Sequence, residues 1–304
     1  MRSRRACQTL PVIAIAGGLG AAVCWAVATL CSSRSSRMIG ASSVLAWVMI
    51  IGFTVGIIPA LAERPGTPAP DGWQIVGLIF VGLSYSAGLL LAYLALSVGR
   101  VSIVAPITST EGAAAAVIAV ALGDPISIPT AIVLAVIAAG IVLSSIERSA
   151  DPPPTSAAGM RTHDPAMNRR AVLLAIGAAA VFSVGLVLSA RLGASLPATW
   201  ILVASRAVGV LVIAVPLALR GRLRLERRAV PLVVVSGILE ALGSVLYVVG
   251  AQHGVATAAV LSSQFAAIAA VLAYFLFGER LARVQVAGVG VIAVGIGVLA
   301  VLRA

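Results

Sequence analysis

Three ionisable side chains stand inside otherwise apolar stretches of this chain: Glu111, Arg206 and Glu240. An ionised group in hydrocarbon costs about 3 kcal/mol unless it is paired, protonated or facing water, so each is a candidate functional residue before any fold is known. Glu240 has the richest context. Across 230–252 the polar residues are Ser236, Glu240, Ser244 and Tyr247, at spacings i, i+4, i+8 and i+11. On a helix these share one face. A single polar stripe on an apolar helix is the pattern of a cavity wall, and a carboxyl there can take up either a proton or a cationic group. The plainer alternative is serines bonded back to their own helix beside a protonated, packed carboxyl. The cost of a charge in lipid favours the wall.

The stretch 73–98 carries a second hydroxyl-bearing pattern, Tyr85, Ser86, Tyr93 and Ser97. Glu111 follows Thr108 by three residues, on the same helical face, and suits a structural hydrogen bond and a proton site equally. Arg206 can neutralise either acid or snorkel to an interface. Gln264 can bond a ligand, although holding helices together is the commoner use of such a residue. Asp124 and Glu279 end their stretches and read as caps or headgroup anchors. The arginines at 220, 222, 224, 227 and 228 read as a loop meeting lipid headgroups. His163 and His253 have no neighbouring ligand partner, and Cys7, Cys24 and Cys31 show no metal spacing. The chain has no His-Glu-x-x-His or Gly-x-Ser-x-Gly motif and no two acids in ligand spacing within a span, so no enzyme, metal or cofactor is expected.

The elements that must position these residues follow from composition. Of 304 residues, 61% are hydrophobic and 10% charged, with mean hydropathy +1.11. A soluble domain carries about a quarter charged residues. The apolar runs are long enough to cross a hydrocarbon core of about 30 Å, and lipid admits such runs only as helices. All 21 basic residues are arginine and the net charge is +11, but apart from Arg206 they lie outside the apolar runs or at their ends, which argues for headgroups and against nucleic acid. The expected fold is an all-α polytopic membrane protein with spans at 12–31, 39–62, 73–98, 101–122, 126–146, 170–191, 198–219, 230–252, 255–277 and 284–302. A cleaved leader ending near "AVA" at 26–28 is the rival reading of the first span, and the repeat described next favours retention.

The chain contains its pattern twice. Adding 155 to Gly82, Gly88, Gly99, Gly123 and Gly140 gives Gly237, Gly243, Gly254, Gly278 and Gly295. Upstream the offset becomes 157, taking Trp25 to Phe182, Met49 to Arg206, Gly52 to Gly209 and Pro59 to Pro216. The offset of 155 pairs Glu240 with Tyr85. The expected organisation is therefore a first five-helix repeat at 1–146, a flexible, proline-rich linker at 147–169, and a second repeat at 170–304. Five spans per repeat make the second enter the membrane from the opposite side, an inverted pair of the kind common in secondary transporters.

Each repeat ends in an acidic turn, "LGDPIS" at 122–127 and "FGERLA" at 277–282, followed by a glycine-rich helix, "LAVIAAGIVL" and "GVIAVGIGVL". In this the chain resembles the EamA-type members of the drug/metabolite transporter superfamily. The resemblance implies ten transmembrane helices, residence in the cell membrane, and ion-driven export of amino acid-like metabolites or drugs. Arg206 in "SRAVGVL" matches an arginine such proteins often carry, whereas the first repeat has Met49 there.

A proton-coupled exporter of a small organic molecule is thus the expected function, as a monomer or a homodimer in the bilayer. Its candidate site is Glu240, Glu111, Arg206, Ser236, Ser244, Tyr247, Tyr85, Tyr93 and Gln264. A flippase for a lipid or lipid-linked sugar, and a non-transporting scaffold or receptor, are the alternatives. Orientation divides the two lines of reasoning. With the N-terminus inside, six arginines fall inside and fourteen outside, so the charge rule favours external termini while the resemblance implies internal ones.

Overall fold

The computed structural model describes residues 2–63, 69–98, 104, 107–124, 126–144, 165–269, 272, 287–288, 290–291, 294–295 and 298. These residues contain helices and turns and no strand. In chain order the helices are α1 (Arg2–Ile39), α2 (Ala41–Glu63), α3 (Gly72–Val98), α4 (Glu111–Ala121), α5 (Ile128–Ser144), α6 (Pro165–Gly193), α7 (Ala198–Leu219), α8 (Val230–Ala251) and α9 (Val255–Ser262). Six of them, α1, α2, α3, α6, α7 and α8, are long and apolar enough to cross a membrane. The shorter α4, α5 and α9 are apolar as well. The expected tenth span at 284–302, the end of the ninth at 270–277 and the linker from 147 to 164 lie outside the described residues, apart from the scattered positions above. Residues 165–169, expected in the linker, are already helical in α6.

Three features depart from the hydropathy reading. The first helix continues through "SSRSSRMI" to Ile39, eight residues past the expected end. Ser35 Oγ donates to the Cys31 carbonyl of its own helix at 2.9 Å, Ser32 Oγ bonds across to Tyr93 of α3, and Ser33 and Ser36 are buried as well. The helix stops only at Gly40, whose φ of +86° suits glycine. The expected span 101–122 is interrupted by a turn at Thr110, and the span from 255 by turns at Ser263 and Gln264. These breaks fall within one residue of each other under the repeat offset, which takes Thr110 to Phe265, next to Gln264. In α7 the segment Val210–Ala214 is a π-helix, a widened turn that often accompanies functional sites, and it ends just before Pro216.

Packing follows the repeat. The two most extensive helix pairs are α1 with α8 and α3 with α6. The offsets carry α1 onto α6 and α3 onto α8, so each pair is the counterpart of the other. Helix α2 packs against its counterpart α7, and α4 packs against α9. Close approach depends on glycine at matching places. A Cβ at Gly88 would stand 2.7 Å from the Phe182 ring, and one at Gly243 would stand 2.6 Å from the Trp25 indole. Phe182 and Trp25 are themselves repeat mates. Large apolar side chains such as Ile58, Phe80, Val117 and Leu211 point outward, which suits lipid.

Candidate functional site

The predicted polar stripe of α8 faces inward. Ser236, Glu240 and Tyr247 are buried and Ser244 is half-buried. From α3, Tyr85 donates its hydroxyl to Glu240 Oε2 at 3.1 Å, so the residue and its repeat mate touch. Ser244 Oγ sits 2.7 Å from the Glu240 carbonyl and 3.0 Å from Tyr85 Oη. Its single proton serves one of those acceptors at a time.

Arg206 comes from α7 and is fully buried, which removes the snorkelling reading. Its Nη2 donates to Ser244 Oγ at 3.0 Å and to the Glu240 carbonyl at 3.2 Å, and lies 4.0 Å from Glu240 Oε2. The guanidinium carbon sits 4.4 Å from the centre of the Tyr85 ring, a cation–π contact. On its other side Nη1 approaches Met49 Sδ at 3.6 Å. Met49 is the residue that the repeat aligns with Arg206. The space for the stem comes from Gly52, where a Cβ would stand 3.1 Å from Arg206 Cδ and Nε. A charge this buried requires partners, and Glu240 with its surrounding dipoles supplies them.

A second polar cluster lies along the same helices. Ser32 Oγ donates to Tyr93 Oη at 3.0 Å and is 2.5 Å from Ser236 Oγ, which also reaches the Ala28 carbonyl at 3.3 Å. Tyr247 donates to the Leu186 carbonyl at 3.0 Å and its ring lies 6.1 Å from that of Trp25. Both clusters tie helices of one repeat to helices of the other.

A cavity opens between these helices, lined by residues of both halves. Glu111 and Glu240 both reach it. Trp25, Tyr85, Tyr93, Phe182, Tyr247 and Phe265 contribute aromatic surface, and aliphatic side chains fill much of the rest. Glu111 is buried at the first position of α4, where the positive end of the helix lies. Among the described residues no cation pairs with it. Its backbone carbonyl accepts a bond from Ser183 Oγ at 3.1 Å, which ties α4 to α6.

Of the residues expected at a site, Glu240, Glu111, Ser244, Tyr247, Tyr85 and Tyr93 line this one cavity. Arg206 and Ser236 stand behind its wall. Gln264 is buried in the turn after α9, off the cavity wall, with neither side-chain atom bonded among the described residues. Trp25, Phe182 and Phe265 were missed as wall residues. The first two carried a signal in their repeat pairing, whereas Phe265 carried none. Asp124, expected as a cap or anchor, pairs at 2.9 Å with Arg191, which also donates to the Leu122 carbonyl at the end of α4.

The sequence pattern of the EamA-like transporter family matches this chain twice, at residues 12–146 and 169–301. The chain belongs to the EamA-like transporter family. The two matched stretches coincide with the two halves of the internal repeat. This EamA-like chain is also similar to a protein of known crystal structure, with TM-score 0.71 and 19% identity over 96% of this chain and 99% of the other. At that identity the likeness speaks for the fold. No curated protein sequence matches at a significant level. The family is one of transporters.

Proposed function

We propose that this protein is an ion-coupled secondary transporter that exports a small organic molecule by alternating access, with the carboxyl-bearing cavity as its binding and coupling site. One observation carries the reading: Glu111 and Glu240, the only buried acids among the described residues, share one cavity built from both repeats. A cavity at a repeat interface is where such transporters bind, because rocking one repeat against the other exposes it to each side in turn.

The two acids are not equivalent. Glu240 is held by the Tyr85 hydroxyl and by Arg206, so its charge is compensated by the protein itself. Glu111 meets the cavity without such compensation among the described residues. Glu111 is therefore the group that exchanges a proton for substrate, and the Glu240–Arg206–Tyr85 assembly holds α3, α7 and α8 in register beneath it. This reverses the order expected from the stripe of α8, which put Glu240 first.

The test is counterflow in proteoliposomes loaded with candidate amino acids, organic cations or neutral metabolites. Accelerated exchange of one class over protein-free vesicles is expected. A full panel without exchange, from protein that is monodisperse and helical, would favour the scaffold or receptor reading.

A further inference from the structure

We infer that the cavity takes an organic cation with an aromatic or alkyl body, its positive centre beside Glu111 and its apolar part against the rings of the wall. The inference deepens the transport reading and rests on it.

Charge decides the sign of the ligand. Among the described residues the lining includes two carboxyls and no arginine, lysine or histidine. Arg206 supplies the nearby positive charge, but it is fully buried behind the wall, with Nη2 bonded to Ser244 and the Glu240 carbonyl, the guanidinium against the Tyr85 ring, and Nε, unbonded among the described residues, beside Gly52 of α2. It cannot greet a substrate carboxylate without giving up those contacts. A substrate carboxylate would instead enter a low-dielectric space beside acids of its own sign, where repulsion is strong. A cation meets the opposite case. It gains an ion pair at Glu111, whose charge no cation offsets among the described residues.

The rest of the wall suits the body of such a ligand. Trp25, Tyr85, Tyr247 and Phe265 present aromatic surface drawn from α1, α3, α8 and the segment after α9. Aromatic faces attract cations, more so where water is excluded. The rings also bury apolar area that a hydrophilic metabolite does not offer.

Proton competition follows, because one carboxyl holds either a proton or the cation. Among the described residues, the ionisable groups that share the cavity with Glu111 include Glu240 and Tyr247 from α8 and Tyr85 and Tyr93 from α3, with Arg206 behind them. Helices α5, α6 and α9, which pack against α4, put no acid or base on the wall among the described residues.

The experiment uses the full chain in lipid nanodiscs and three probes of similar size: benzyltrimethylammonium, neutral benzyl alcohol and zwitterionic phenylalanine. Equilibrium dialysis should show the cation bound about tenfold more tightly than either comparator, with binding weakening as pH falls. Glu111→Gln should abolish the preference for the cation and Glu111→Asp should retain it. Phenylalanine bound as tightly as the cation, failure of all three probes to bind, or an undiminished preference in Glu111→Gln would each overturn the inference. If Glu111→Gln does not fold, carbodiimide labelling of the unmutated protein replaces it. The cation should protect Glu111 from modification, as read by peptide mass spectrometry, and equal labelling with and without the cation overturns the inference. Counterflow separates the two readings. Glu111-dependent binding of the cation without counterflow sinks the transport reading and leaves the ligand class standing. Transport of phenylalanine but not of the cation does the reverse.

Discussion

Replacing Arg206 by methionine tests whether the buried arginine and Glu240 form one unit. The substitution keeps an unbranched stem beside Gly52 and removes the guanidinium. Ser244 Oγ and the Glu240 carbonyl then lose a donor, the Tyr85 ring loses its cation, and the Glu240 carboxyl keeps only the Tyr85 hydroxyl. Breaking a buried pair by removing one partner costs about 3–5 kcal/mol, mostly because the other charge is left uncompensated. Neutralising that charge should recover much of the loss, so Arg206→Met combined with Glu240→Gln is expected to be more stable than Arg206→Met alone. The coupling in a double-mutant cycle should exceed about 1 kcal/mol. The assay is reversible unfolding in mixed micelles, followed by helical circular dichroism, on all four proteins. A coupling below about 0.5 kcal/mol would refute the claim that Arg206 is held chiefly by Glu240.

Glycine contacts that match across the repeats should behave alike. Gly88→Leu and Gly243→Leu should each lower the yield of monodisperse protein, since their side chains would enter the Phe182 and Trp25 rings, while Gly72→Ala, with nothing within 4 Å, should leave it unchanged by size-exclusion chromatography. Ser244→Ala should cost about 1 kcal/mol in the same unfolding assay, the usual value of a hydrogen bond between helices in lipid. Asp124→Asn should cost less than about 1 kcal/mol, and added salt should narrow its difference from the parent, because Arg191 and Asp124 are partly exposed to solvent.

Much of the architecture was legible because a repeat encodes contacts as well as elements. Tyr85 and Glu240 were paired by counting glycines, and they bond to each other. Met49 and Arg206 were paired the same way, and they touch. The polar stripe of α8 was legible because helical periodicity alone puts Ser236, Glu240, Ser244 and Tyr247 on one face. Three things were not legible. The reach of Arg206 to Glu240 depends on how α7 crosses α8, and hydropathy carries no crossing angle. The breaks at Thr110 and at Ser263–Gln264 lie in sequence with no glycine or proline at the turn, so no local signal marks them. The extension of α1 through four serines runs against their hydropathy; all four are buried, Ser35 bonds back to its own helix and Ser32 bonds across to Tyr93 and Ser236.

The account turns on whether the cavity carboxyls couple proton movement to substrate movement. The direct measurement is proton flux in proteoliposomes holding a trapped pH-sensitive dye, recorded when benzyltrimethylammonium is added outside. The account predicts a substrate-dependent pH change inside the vesicles with the parent protein. It also predicts loss of that change in Glu111→Gln, with cation binding much weakened but the helical fold intact. A pH change of unaltered size in Glu111→Gln would contradict it, as would cation counterflow that moves no protons at all.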